Sequence, residues 1–186
     1  MIYALLDKEA LVKRGLSLEQ LSLKIENLKI PIAQYRNKVG SIDEKRQDLL
    51  EIRRYYTGQL IINDTIELIE YADGLHVGQE DIRCYADDLN EAVTLIRQKI
   101  SNKILGLSTH NQEEILEANG LDLDYIGLGA YRGTQTKSEA KTLGEYCLTL
   151  AKLSNHPVGI IGGVKLSDTF PSQIAYRVIG SDLYES

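Results

Sequence analysis

In the stretch Pro31-Ile-Ala-Gln-Tyr-Arg-Asn-Lys38, polar side chains recur at alternate positions: Gln34, Arg36 and Lys38. Alternate residues of a strand share a face, so these three point one way while Ala33 and Tyr35 point the other. Burying Arg36 and Lys38 at the mouth of a barrel costs several kcal/mol unless an anion answers them. The alternative is a solvated face. Farther on, Asn63 and Asp64 close the run Leu60-Ile-Ile-Asn-Asp-Thr65, and Glu80 and Asp81 follow Gly74-Leu-His-Val-Gly-Gln. Asp64 and Asp81, from adjacent strand ends with no Cys or His cluster, suit a hard cation that seeks oxygen, Mg²⁺. As isolated residues they could equally cap the helices that follow. Beside Arg36 and Lys38 the metal reading gains, because Mg²⁺ with cationic side chains is a common way to hold a diphosphate.

Other polar residues fall at similar places. Gly106-Leu-Ser-Thr-His110 is no nucleophile elbow, since His110 stands where that turn needs glycine. Ser108 is read as a hydroxyl hydrogen-bonding group, His110 as a cap or a lining residue, and His76 as an interior histidine rather than a ligand. Gly127-Leu-Gly-Ala-Tyr-Arg-Gly-Thr-Gln-Thr-Lys137 has its glycines at the wrong spacing for a dinucleotide fingerprint. What remains is a loop offering Thr134, Thr136 and Lys137 to a phosphate, or a threonine-rich solvated turn. Gly162-Gly163 after the seventh candidate strand, and Gly180-Ser181 after the eighth, let backbone N–H groups approach a phosphate.

These residues need elements to position them, and the chain has one rhythm. Short β-branched runs cover Ile2–Leu6, Ile30–Arg36, Gln59–Asn63, Gly74–Val77, Lys103–Ser108, Tyr125–Gly129, Val158–Gly162 and Ala175–Ser181. Amphipathic stretches lie between them. Ser17/Gln20, Ser41/Glu44, Asp88/Glu91 and Asn111/Glu114 read as helix starts with reciprocal caps. Gly120 reads as a left-handed helix stop. Eight strands alternating with helices predict a single α/β domain over residues 1–186, a compact TIM-type (β/α)8 barrel. The spacing is tight, roughly 23 residues per unit, and the 186 residues fall below the ~250 of a typical barrel. An open doubly wound sheet is the structural alternative.

Composition excludes several classes. With 21 basic and 27 acidic residues the net charge is −6, which argues against a nucleic-acid binder. No uncharged apolar run reaches membrane-spanning length, and Asp7 and Lys8 interrupt the apolar start, so a cytoplasmic protein is expected. Cys84 and Cys147 have the look of reduced thiols without zinc. Eleven tyrosines stand against one Phe and no Trp, a bias that composition alone does not explain.

Taken in order, Gln34-x-Arg36-x-Lys38, Asn63-Asp64-Thr65, Gly78-Gln-Glu-Asp81, Gly106-x-Ser-x-His110, Thr134-x-Thr-Lys137 and Gly162-Gly163 resemble the motifs of thiamine phosphate synthases over nearly the whole chain. The resemblance implies a transferase on a βα barrel. Such an enzyme couples hydroxymethylpyrimidine diphosphate with a thiazole phosphate and releases pyrophosphate with Mg²⁺. By matching position, Gln34, Arg36, Lys38, Asn63 and Lys137 would hold the pyrimidine diphosphate. Asp64 and Asp81 would hold Mg²⁺, and Ser108 would contact the pyrimidine or pyrophosphate. Thr134, Thr136, Gly163 and Ser181 would face the thiazole phosphate. Arg36, Lys38, Ser108 and Lys137 are the expected catalytic group. The chemistry needs no protein nucleophile, only charge neutralisation and positioning.

The chain departs from that family at Ala130 and Gly133, where prolines are usual. The segment Leu166–Ile174 is short for a helix, and no last helix is expected after the eighth strand. A related branch, the thiazole tautomerases, carries an acid–base histidine at the position of His110. A third reading is a barrel that binds a thiamine precursor without turnover. Without a last helix, Tyr176 and Val178 would lie exposed beside the first strand, predicting a homodimer packed on that seam. The competing outcome is that Leu183 and Tyr184 fold back and fill it.

Overall fold

The computed structural model describes residues 1–133 and 142–185. Each predicted β-branched run forms a strand: Ile2–Asp7 (β1), Ile32–Arg36 (β2), Gln59–Asn63 (β3), Gly74–Val77 (β4), Ile104–Thr109 (β5), Tyr125–Leu128 (β6), Val158–Ile160 (β7) and Ile174–Ile179 (β8). Each pairs in parallel with the next, and β8 returns to β1 to close a barrel. The strand ends move slightly from their expected places for local reasons. Pro31 has no N–H to give a ladder, so β2 starts after it. Gly162, at φ 94°, turns the chain out of β7.

Between the strands lie Lys8–Lys13 (α1), Leu18–Asn27 (α2), Ile42–Tyr55 (α3), Gln79–Ile82 (α4), Leu89–Ile100 (α5), Gln112–Ala118 (α6), Tyr146–Ala151 (α7) and Ser181–Glu185 (α8), with a 3₁₀ turn at Ile66–Tyr71. All four predicted N-caps accept the expected backbone hydrogen bond. The full reciprocal box forms only at Ser17 and Ser41, since Glu114 turns back to His110 instead. Gly120 corrects an expectation. The α6 helix ends where predicted, but Gly120 is not left-handed. The exit is a tight turn, with Gly120 N–H bonded to Glu117 C=O and Leu121 N–H to Ala118 C=O.

The strands separate two apolar layers. Outside, helix residues such as Leu49 and Ile52 of α3 are fully buried in one cluster with Ala33 and Leu60, each large aliphatic side chain contributing about 1.5–3 kcal/mol. Inside the barrel a smaller cluster gathers Tyr3, Ile32, Ile61, Tyr125 and Val178, with Tyr176 packed against it. This overturns the expected exposed seam. Tyr176 and Val178 face the barrel interior, where the Tyr176 ring meets Tyr3 and Tyr125 edge-on at 5.8 and 5.6 Å. The last helix is present as the single short turn α8. Leu183 is fully buried and the Tyr184 hydroxyl donates to Leu5 C=O at 2.5 Å, so the chain covers its own seam. Between β7 and β8, as expected, no helix forms.

The abundance of tyrosine has a partial rationale, because several of the eleven bury a ring and use its hydroxyl. Tyr35 donates to Asp48 at 2.6 Å, Tyr56 to Ile30 C=O at 2.9 Å and Tyr131 to Glu145 at 2.6 Å. Phe could fill the space but not pair the polar groups.

The interior rings require room in β5. A Cβ on Gly106 would lie 2.2 Å from Cζ of Tyr125. Gly106→Ala should therefore displace that ring and destabilise the protein by about 1–3 kcal/mol, the usual cost of overpacking. Urea unfolding measures it, and an unchanged midpoint would show that the interior has slack.

Candidate active site

The polar strand ends gather at one end of the barrel. A cavity of about 710 Å³ opens there, lined by Gln34, Arg36, Lys38, Asn63, Asp64, His76, Asp81, Ser108, His110, Gly163 and Ser181 among others. The alternation read from the sequence is correct. Gln34 and Arg36 point into the cavity, while Tyr35 packs outward on Asp48 of α3. Thr134, Thr136 and Lys137 lie outside the described residues.

Arg36 does not face the cavity as a bare cation. Asp7, paired with it in register across β1 and β2, accepts its guanidinium at 2.5 Å and is 3% exposed. The other Asp7 oxygen caps α1 through Ala10 N–H at 2.9 Å. One carboxylate thus ends a strand, starts a helix and fixes a cation. Sequence reasoning passed over Asp7, although Tyr3, Leu5 and Asp7 share the face that Gln34 and Arg36 use on the next strand.

Lys38 reaches across to the acidic pair. Its ammonium hydrogen-bonds both Asp64 and Asp81, the latter at 3.2 Å. Partial burial works against its charge, but the bonds and fields of the two carboxylates outweigh that and raise its pKa. Asp64 has φ 57°, a left-handed backbone uncommon outside glycine, asparagine and aspartate. Its side chain accepts Gly78 N–H at 3.0 Å and an Asn63 amide hydrogen. Neither Asp64 nor Asp81 supplies a helix cap: Thr65 and Gly78 stand at those positions without side-chain caps. Two carboxylates converging on one ammonium form a place where positive charge is already held. The donor set, two carboxylates, suits a hard cation. Among the described residues, no third His, Cys, Asp or Glu joins them.

Ser108 lies deeper. Its hydroxyl meets Nε2 of His76 at 2.9 Å, and Nδ1 of His76 meets the Tyr125 hydroxyl at 2.9 Å. His76 is therefore an interior histidine, as expected, but also part of the cavity wall. At the rim, Nδ1 of His110 sits 3.0 Å from Glu114, and Asn111 rather than His110 caps α6. Gly162 and Gly163 have φ of 94° and 61°, and a Cβ on Gly162 would strike Ala130 at 2.8 Å. Arg132 locks this turn, donating to Gly163 C=O at 2.9 Å and to both oxygens of Asp168 at 2.5 and 3.0 Å. Its bonds hold the Asp168 carboxyl below the usual range. The sequence reading did not single out this clamp.

Residues 2–174 match the family model described as thiamine monophosphate synthase. The chain belongs to that family. A thiamine-phosphate synthase of Caldicellulosiruptor bescii is 37% identical over 144 residues, covering 73% of this chain and 62% of the relative. Another from Dictyoglomus thermophilum is 34% identical over 179 residues, covering 87% and 76%. The match to a Prochlorococcus marinus thiamine-phosphate synthase, at 36% identity, takes in 73% of this chain but only 38% of the relative. The chain thus spans less than two-thirds of the length of the Caldicellulosiruptor bescii and Prochlorococcus marinus relatives. In fold, the chain resembles the thiamine phosphate pyrophosphorylase of Pyrococcus furiosus, with a TM-score of 0.75 at 21% identity over 97% of this chain and 85% of the other. It also resembles the (S)-3-O-geranylgeranylglyceryl phosphate synthase of Thermoplasma acidophilum, with a TM-score of 0.63 at 10% identity over 100% and 87%.

The Asp7 contacts make a prediction. Arg36→Met removes the cation and leaves a carboxylate that is almost fully enclosed. Stability should fall by about 1–3 kcal/mol, the cost of a buried group left short of a partner. Urea unfolding checks this, and adding Asp7→Asn should recover part of the loss. Equal stability of Arg36→Met and the parent would mean that solvent reaches Asp7 freely.

Proposed function

We propose that this chain is a thiamine phosphate synthase, a transferase that joins hydroxymethylpyrimidine diphosphate to a thiazole phosphate and releases pyrophosphate. The observation that carries the reading is the meeting of Gln34, Arg36, Lys38, Asn63, Asp64, Asp81, Ser108, Gly163 and Ser181 around one cavity, in a chain of the thiamine monophosphate synthase family. In this reading Gln34 and Asn63 orient the pyrimidine diphosphate, while Arg36, Lys38 and Lys137 answer its charge. Asp64 and Asp81 hold Mg²⁺, which when bound neutralises the leaving pyrophosphate. Ser108 contacts the pyrimidine end. Thr134, Thr136, Gly163 and Ser181 receive the thiazole phosphate, and Arg132 braces the turn that carries Gly163.

The bond from the pyrimidine methylene to the diphosphate oxygen breaks, and the thiazole nitrogen takes that carbon. Charge develops on the leaving group, so fixed cations aimed at it supply the catalysis and no side chain need attack. Arg36 suits this role because Asp7 holds it still before substrate arrives. Lys38 suits it differently. Its side chain is 41% exposed and its ammonium is shared between Asp64 and Asp81, so it is free to turn toward a phosphate oxygen of the substrate.

His110 supports a second reading. A histidine at the cavity rim with Nδ1 against Glu114 has the form of an oriented acid–base group. It would serve a thiazole tautomerase. The third, a binding barrel without turnover, draws on no observation of its own. We also assign the protein to the cytoplasm, a reading to which the two free thiols, Cys84 and Cys147, are suited. No helix among the described residues is long and apolar enough to cross a membrane.

Incubation with both precursors and Mg²⁺ tests the proposal directly. Thiamine phosphate and pyrophosphate should appear in equal amounts. Asp81→Ala should remove most turnover while the protein stays folded, since that side chain is 40% exposed. Full activity in EDTA would remove the metal from the reading. An isomerised thiazole without coupling would favour the tautomerase, and precursor bound without product the passive barrel.

The expected homodimer rested on a bare seam, and α8 covers it. The assembly proposed is now a single barrel. Light scattering on size exclusion at micromolar concentration should give a mass near 20.8 kDa, and twice that would require a dimer built on another face.

A further inference from the structure

A run of hydrogen bonds crosses the barrel interior and ends at the cavity. The Gln34 amide donates from Nε2 to the Tyr3 hydroxyl at 3.2 Å, and the Tyr3 and Tyr125 hydroxyls are 2.8 Å apart. Tyr125 meets Nδ1 of His76 at 2.9 Å, and Nε2 of His76 meets Ser108 at 2.9 Å. Tyr3, Tyr125, Gln34 and His76 are all buried, and Ser108 opens on the cavity. Burial pushes the pKa of both phenols up, so both keep their hydrogens at neutral pH.

The direction of this chain follows from counting hydrogens. Tyr3 already accepts from an amide that can only donate at that atom, so its own hydrogen must go to an acceptor. Tyr125 is the acceptor beside it. Tyr125 then has one hydrogen to give, and Nδ1 of His76 lies in front of it. A neutral imidazole accepting at Nδ1 carries its hydrogen on Nε2 and donates it to Ser108. Because Ser108 accepts from His76 with one lone pair, its own hydrogen is left to direct into the cavity. The opposite order would leave the Tyr3 hydrogen in the barrel without an acceptor.

We propose that this one-way chain makes Ser108 a hydrogen-bond donor to the substrate, with Tyr3, Tyr125 and His76 as positioning residues behind it. The atom that takes this hydrogen is an acceptor, a bare ring nitrogen or an oxygen. This rests on the synthase reading only for the identity of the ligand, since the polarity belongs to the protein alone. It also gives Gly106 and Gly127 a part. The Tyr125 ring occupies the space that a Gly106 side chain would need, and a Cβ on Gly127 would crowd the His76 ring at 3.3 Å.

Two measurements test it. With three histidines in the chain, ¹⁵N labelling of histidine resolves the tautomer of His76, assigned by the signal lost in His76→Gln. The expected state of the parent protein has hydrogen on Nε2 and a bare Nδ1, and hydrogen on Nδ1 overturns the proposal whatever the protein catalyses. The second measurement is a double-mutant cycle on kcat/KM. Tyr125→Phe keeps the ring and removes the donor to His76. It should lower kcat/KM for the pyrimidine substrate about tenfold, one hydrogen bond's worth. In a Ser108→Ala background the same change should cost less than about twofold, because the group through which it acts is gone. Losses that multiply would show Tyr125 to be a packing residue only. If Tyr125→Phe does not fold, the tautomer of the parent decides alone. An Nε2–H tautomer in a protein with no coupling activity would keep the polarity and discard the synthase.

Discussion

Eight parallel strands that close on themselves enclose an interior too narrow for solvent and too wide to leave unfilled. In this chain three tyrosine rings, Tyr3, Tyr125 and Tyr176, meet there edge-to-face. Rings fill the volume, and two of them bring hydroxyls that must be paired where water does not reach. That constraint propagates upward. Pairing Tyr3 and Tyr125 recruits Gln34 below the mouth and His76 beside it, and His76 in turn holds Ser108. The floor of the cavity is therefore set by the filling of the barrel.

Above that floor the mouth is organised by charge. Two of its cations meet carboxylates from other strand ends: Arg36 meets Asp7, and Lys38 meets Asp64 and Asp81. The two arrangements differ in burial and so in freedom. Asp7 is almost wholly enclosed and commits Arg36 to one position, whereas the Lys38 side chain is 41% exposed and can change partners. A rigid cation beside a movable one matches the needs of binding an anion and then letting it go.

Much of this was legible in the sequence, for two physical reasons. Strand alternation is strict, so Gln34, Arg36 and Lys38 could be assigned to one face from spacing alone. Caps such as Ser17 and Ser41 use local hydrogen bonds that no tertiary context is needed to form. What failed depended on contacts between distant segments. Tyr176 and Val178 follow the same alternation, but which of two apolar faces turns inward is decided by the rings of Tyr3 and Tyr125, far away in the chain. Gly120 stops its helix through a tight turn in place of a left-handed one, because Leu121 is drawn into the core. Asp7, His76 and Arg132 were undervalued for the same reason, since each takes its meaning from a partner on another strand or loop.

The Tyr184 hydroxyl has one more consequence. β1 and β8 share register only from Ile2 to Ala4, so Leu5 C=O and Asp7 N–H lie beyond the end of that ladder. Tyr184 serves both, donating to the first at 2.5 Å and accepting from the second at 3.0 Å. A single phenol thus stands in for a missing rung. The barrel is fastened at this seam by a side chain from beyond the sheet, whereas the side-chain bonds across β1–β2 and β5–β6, Arg36 to Asp7 and Thr109 to Gly127 C=O, come from the paired strands themselves. Without that phenol the Leu5 carbonyl and the Asp7 N–H would lose this partner while β1 and β8 kept their pairing from Ile2 to Ala4. The edge of the cavity beside Arg36 therefore depends on one side chain from the last turn of helix.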